Sequence, residues 1–174
     1  MYETINSPVN YGGLELKNRI IFAPTTLGVS EEEYFERIRR IAAGGCGMII
    51  IGDVPVGKSR FEKSLFDKKG FAYYKKLAEI AHSYDCRICA QLHQSDSNML
   101  AMLKYVPGVL TKKISMQELR TLLNNEVAPY ITKLPKSKIR SIINGFGEAA
   151  VLAVDAGFDM VQIHGDRMCG SFSS

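Results

Sequence analysis

Gln162, His164, Asp166 and Arg167 stand within six residues of one another, directly after the apolar run Met160-Val161. An amide, an imidazole, a carboxylate and a guanidinium at that spacing offer hydrogen-bond donors, acceptors and both signs of charge. The run before them reads as a short buried strand, so these groups surface at its carboxyl end, where α/β proteins place their chemistry. A second such point is Arg87-Ile-Cys-Ala-Gln-Leu-His93. Gln91 lies inside this apolar strand, and a buried amide requires partners. His93 closes the strand and faces either the same site or the segment that follows. His82 falls at a helix end and reads as a surface residue.

The elements that must carry these groups alternate in type. Tyr11-Gly12-Gly13-Leu14 marks a tight turn or small hairpin in an entry segment, of a size to plug the amino-terminal mouth of a barrel. Arg19-Ile-Ile-Phe-Ala-Pro24 reads as a first buried strand stopped by its proline. Ser30 with Glu33 forms a capping-box pattern for a helix to about Ala43, striped by Tyr34, Ile38 and Ile41 or Ala42. Gly44-Gly45 ends it, and Met48-Ile-Ile-Ile51 is a second strand with Gly52-Asp53 at its carboxyl end. A helix over about Phe71 to Ser83 and the Arg87–His93 strand make the third unit. Phe146, Ala149, Ala150, Ala153 and Val154 define one face of a last helix, which Gly157 stops before the fourth strand. Residues 94–136 interrupt this rhythm as a helical excursion. It has expected helices near 97–105 and 115–125, Ser115 and Glu118 at the cap of the second, and breaks at Pro129 and Pro135. Buried strands alternating with helices require right-handed crossovers and a parallel sheet. An open doubly wound sheet and a (β/α)8 barrel both satisfy that pattern. The dinucleotide fingerprint of the former is missing, because Gly44-Gly-Cys-Gly47 precedes a strand instead of following one.

Composition narrows the classes. The chain has 174 residues, 46% of them hydrophobic, and a net charge of +4. No apolar run approaches the ~20 residues of a membrane span, and the first residues lack the pattern of a secretory leader. Eight Lys or Arg against Glu118 and Glu126 over residues 104–140 make either a solvated helical face or a surface favouring anions. Without interleaved aromatics they do not read as a nucleic-acid site. Cys86 and Cys89, three apart in a strand, point to opposite faces, which disfavours a metal or redox pair. Reduced thiols and a cytoplasmic location are expected.

Four segments together resemble the old yellow enzyme family, near its 2,4-dienoyl-CoA reductase and bile-acid-inducible enoate reductase branch. They are Leu16-Lys-Asn-Arg-Ile-Ile-Phe-Ala-Pro-Thr25, Gly44-Gly-Cys-Gly-Met-Ile-Ile-Ile-Gly52, Ala90-Gln-Leu-His-Gln94, and Phe146-Gly-Glu-Ala-Ala through Gln162-Ile-His-Gly165. The resemblance implies an α/β fold of the parallel (β/α)8 TIM-barrel type, of which residues 1–174 hold the first four strands. It implies FMN at the strands' carboxyl ends and NAD(P)H as reductant. Ala23, Pro24 and Thr25 would then run beside the flavin ring. Gly52 would let backbone approach its edge, and Gln91 would bond its pyrimidine side. His164 would donate to a substrate carbonyl oxygen, so that an activated C=C of an enoyl thioester or enone accepts hydride.

Two positions depart from the family pattern. Arg167 stands where many members carry a second His or Asn; its guanidinium suits a carboxylate or thioester-bearing substrate. Cys169 stands where many keep a tyrosine proton donor, and its thiol takes that place as the expected donor. The iron–sulfur cluster of longer relatives has no counterpart in this stretch. A half barrel exposes strand edges and an unwalled inner face. The expected partners are therefore a second copy, as a homodimer, or a carboxyl-terminal half chain. Failing both, the expected product is a non-catalytic fragment.

Overall fold

The fold comes from a computed structural model that describes residues 3–25, 28–59, 62–95 and 103–165. After a single helical turn α1 (Glu3–Asn6), strands β1 (Val9–Tyr11) and β2 (Leu14–Leu16) form an antiparallel hairpin. Gly12 and Gly13 turn it with φ of 62° and 94°, a region that glycine enters without steric cost, and Gly13 N–H donates to Asn10 Oδ1.

A second sheet has four strands, all parallel, in the order β3 (Ile21–Phe22), β4 (Met48–Pro55), β5 (Arg87–His93), β6 (Met160–Ile163). The first strand is shorter than the six residues its sequence suggests: only Ile21 and Phe22 pair with β4. The second is longer, because a bulge between Ile51 and Val54 takes up an extra residue and pairing resumes to Pro55. Asp53 adopts φ of 54° there, which re-aims the strand end.

Helices cover one face of this sheet. α2 (Glu31–Ala43) begins where the Ser30 side chain accepts the Glu33 N–H, as the capping pattern requires. It buries Phe35, Ile38 and Ala42, with Tyr34 and Ile41 at the margin. α3 (Lys68–His82) is capped by Asp67 and buries Tyr74, Leu77, Ala78 and Ala81. The last helix, here α6 (Lys136–Asp155), places Ala149 and Ala153 in the core while Val154 is exposed, one position off the expected stripe. Gly157 closes it at φ of 94°, and a Cβ there would touch Ala78 at 3.3 Å. Ile49, Ile51, Ile88, Ala90 and Leu92 meet these helices in one apolar core.

Alternate residues point the other way. Met48, Ile50, Cys89 and Met160 face the β1–β2 hairpin and pack with Leu16, Val9 and Leu14. The hairpin therefore plugs the amino-terminal end of the sheet's inner face. Cys86 lies in the helix-side core and Cys89 in the hairpin-side cluster, on opposite sides of the sheet.

One compact unit runs to His93 and resumes over Asn144–His164, and a second takes Gln94–Ile143. The second holds α4 (Val106–Leu110), α5 (Met116–Thr132) and the start of α6. Both halves of the Ser115/Glu118 capping box are formed, at 3.2 and 2.8 Å. Pro129 does not break the helix as its type suggests but lies within α5. Pro135 does precede a helix, because an N-terminal position needs no N–H. Most of the expected 97–105 helix lies outside the described residues. Among the described residues no helix is long and apolar enough to cross a membrane.

Candidate functional site

The inner face of the parallel sheet changes character along its length. At the amino end Met48, Ile50, Cys89 and Met160 are packed against the hairpin, and burial pushes the Cys89 thiol up to about 11. Two residues further on, the same face carries Gly52, Gln91 and Gln162. Two further still it carries His93 and His164. The register that pairs Leu92 with Ile163 sets these two side by side, and His164 N–H donates to Leu92 C=O at 2.9 Å. A dry floor, an amide layer and an imidazole layer thus follow in order toward the carboxyl ends.

The amide layer is tightly defined. Gln91 and Gln162 are register partners, and Gln91 Nε2 donates to Gln162 Oε1 at 2.8 Å. A Cβ on Gly52 would stand 3.0 Å from Pro24 Cβ and 3.7 Å from Gln91 Oε1. Pro24, Gly52 and Gln91, three residues singled out from the sequence, are therefore in one place. The glycine has a reason internal to the chain, since a larger residue would press on Pro24. The Gln162 partnership was legible only as a polar residue after an apolar run; strand register was the missing signal.

Ala23 and Thr25 flank Pro24 past the end of β3, and both are exposed. Thr25 Oγ1 lies 3.4 Å from the Ala23 carbonyl oxygen, a long contact that leaves the hydroxyl available. His164 is half-buried at the end of β6. Arg167 and Cys169 lie outside the described residues.

Three features were not anticipated. A cavity of about 490 Å³ opens beside Thr25 and Gly52, walled by Tyr34, Tyr73, Tyr74 and Glu62 among others. Burial raises all three tyrosines above the ordinary phenol range, so they line it as neutral hydroxyls and rings. The His93 side chain is only 7% exposed, yet among the described residues neither of its ring nitrogens has a hydrogen-bond partner. His82 is exposed, as expected, and its Nε2 lies 2.8 Å from Asp159 Oδ2. Asp159 also accepts the Ile88 N–H at 2.8 Å and faces Arg87 at 3.3 Å, tying α3 and the start of β5 to the turn before β6.

The residues at the strand ends suit a flat heteroaromatic ring. A backbone corner at Ala23–Thr25, a side-chain-free position at Gly52 and an oriented amide at Gln91 can line its edge. A parallel β/α half-barrel with its polar groups gathered at the carboxyl ends is the class that fold and site define. The pattern of the NADH:flavin oxidoreductase / NADH oxidase family matches residues 4–167, and the chain belongs to that family.

Individual relatives agree. The chain is 58% identical over its whole length to a bilirubin reductase of Clostridium symbiosum, of which it covers 47%. It is 31% identical over 96% of its length to a bilirubin reductase of Mediterraneibacter gnavus, covering 26% of that protein. Among solved structures, an old yellow enzyme from a Pichia species superposes with a TM-score of 0.68 at 21% identity, over 93% of this chain and 46% of that one. That likeness carries the barrel fold alone. The chain spans about half the length, or less, of the curated relatives it matches.

Proposed function

We propose that this chain is the amino-terminal half of a flavin-dependent, NAD(P)H-fed reductase barrel that acts on a conjugated C=C bond. Bilirubin, the substrate in its relatives' names, is the first candidate. The observation that carries this reading is the meeting of Pro24, Gly52 and the Gln91–Gln162 amide pair on one inner face at the strand ends. FMN, when bound, supplies the hydride. Ala23, Pro24 and Thr25 line one side of its ring, Gly52 leaves room at the edge, and Gln91 bonds that edge through an amide already oriented by Gln162. His164 donates to the substrate oxygen that gathers negative charge, and the buried floor keeps water from below. In this reading Arg167 holds a substrate carboxylate or carbonyl and Cys169 returns the proton to carbon.

Titration of the 174-residue chain with FMN, read by flavin fluorescence, tests the proposal. Quenching that saturates, and that Gln91→Ala weakens about tenfold by loss of a hydrogen bond to the ring, supports it. Binding indifferent to Gln91→Ala sinks the assignment of this face.

A second reading has its own observation. Ile21 and Ile163, on the two edge strands of the parallel sheet, are 44% and 62% exposed. Open apolar edges call for a partner, so the chain would act as a subunit that pairs with a carboxyl-terminal half or a second copy, without turnover alone. Light scattering that finds a stable monomer at high concentration removes the second copy as that partner, and a carboxyl-terminal half that fails to co-purify with this chain on co-expression removes the other.

A further inference from the structure

The basic stretch over residues 104–140 is the feature that the proposed function leaves without a task. Six net positive charges fall within it, so the rest of the chain carries two net negative ones. Its two carboxylates are engaged locally. Glu118 accepts the Ser115 N–H at 2.8 Å in the capping box, while Glu126 is ion-paired with Lys104 and accepts from Tyr105 Oη at 3.1 Å. Lys112 and Lys113 stand exposed in the turn before α5, and Lys133, Lys136 and Lys138 stand exposed just after it.

Exposed aliphatic side chains lie among these lysines. Leu103, Val106 and Leu110 fall at i, i+3 and i+7, one face of α4 and the turn that leads into it. Each is between 43% and 78% exposed. The other side of α4 is closed. Lys104 and Tyr105 reach Glu126 on α5, and Gly108 lies against Ile114, where a Cβ would collide with that side chain. The aliphatic face is thus turned away from α5 and toward water. Single exposed apolar residues are ordinary in folded proteins, but three in helical register with a cationic rim mark an interaction surface.

The composition of the surface says what it fits. Protein interfaces favour aromatic residues and Arg and are depleted in Lys, whereas residues 104–140 hold six lysines and two arginines. Leu and Val beside a lysine rim suit the headgroup layer of a bilayer. Aliphatic groups enter the acyl boundary there, and ammonium groups on flexible stems stay among the phosphates. Such a helix lies on a membrane and need not span it. We propose that the α4 face of Leu103, Val106 and Leu110, with its flanking lysines, is a peripheral docking surface for an anionic lipid bilayer. The inference stands apart from the flavin reading, because none of these residues belongs to the strand-end site.

The test sediments the full chain with vesicles of phosphatidylglycerol and phosphatidylcholine in equal parts, and with vesicles of phosphatidylcholine alone. The chain is expected to bind the anionic vesicles about tenfold or more tightly than the neutral ones. It should be released as salt rises from about 0.05 to about 0.5 M, because the charges are then screened. Val106→Ser with Leu110→Ser, at exposed positions, removes the aliphatic anchor and should weaken binding about tenfold. Lys112→Glu with Lys113→Glu should weaken it by about as much. Lys68→Glu with Lys69→Glu makes the same charge change on exposed residues of α3 and should stay within about twofold of the parent. Circular dichroism of each variant reports that the helices are kept. No binding to anionic vesicles, equal binding to neutral ones, or an equal loss in the α3 variant overturns the inference. Unchanged binding by the Val106→Ser, Leu110→Ser variant overturns it too, because the contact is then one of charge alone. Poly-glutamate bound as tightly as the anionic vesicles would assign the surface to an acidic polypeptide instead.

Discussion

Gln91 Nε2 donates to Gln162 Oε1 at 2.8 Å across a ladder in which the two residues are direct register partners. One N–H of the Gln91 amide is thereby fixed, and its oxygen is held toward Gly52. Orientation is what an edge-bonding amide contributes to a planar ligand, because a freely turning group loses rotamer freedom on binding. Gln162→Ala is therefore expected to weaken FMN binding by roughly threefold to tenfold without touching the ring. Fluorescence titration of that variant beside Gln91→Ala decides it: an unchanged Gln162→Ala would show that the pair is only structural.

Gly52→Ala probes the same corner from the other strand. The new Cβ would stand 3.0 Å from Pro24 Cβ, so β3 and β4 must part or the proline must move. Overpacking of this kind costs about 1–3 kcal/mol. Urea unfolding should show a lower midpoint, and flavin affinity should fall with it because Ala23–Thr25 shifts. A midpoint equal to the parent's would mean that the corner yields freely.

Much of this arrangement was legible beforehand, and the limits have physical causes. The Arg87–His93 strand ends where its sequence says, since both its faces are buried and its flanks are polar. Pro24, Gly52 and His164 could be placed at strand ends, and Gln91 within its strand, because continuous apolar runs and helix stops locate the strands. What escaped was pairing. Gln162 facing Gln91, the bulge at Asp53 and the short β3 are set by register between strands, and no single strand's sequence encodes its neighbour's phase. Pro129 misled because a proline's cost is local, whereas α5 has a full capping box and helical turns on both sides of it. His82 is exposed, as its helix-end position suggests, but its pairing with Asp159, distant in sequence, could not be read from it.

Asp159 joins three segments at once, accepting from Ile88 N–H and lying against His82 and Arg87. Asp159→Ala leaves a buried strand N–H unpaired and removes both side-chain partners. The expected loss is about 2–3 kcal/mol, near the upper range for one unsatisfied buried donor and its lost charged acceptor. Asp159→Asn keeps an acceptor for Ile88 and should recover about half of that. Chemical denaturation of the two variants measures the difference, and equal losses would place the effect in the charge instead of the backbone bond.

Alkaline stability should depend on the hairpin plug. Burial raises the Cys89 thiol from an ordinary 9.0 to about 11, against Leu16, Met48 and Met160. The unfolded chain therefore loses this proton first as pH rises. The stabilising contribution is fully present below pH 9.0 and declines as pH climbs to about 11. The raised hydroxyls of Tyr34, Tyr73 and Tyr74 act in the same direction at higher pH. Cys89→Ala removes the titration but opens a small void, so its midpoint should be lower near neutrality and flatter between pH 9.0 and about 11. Urea midpoints of parent and variant across that window provide the check. Parallel slopes would mean that Cys89 ionises no later in the folded chain than in the unfolded one, and that the plug admits water.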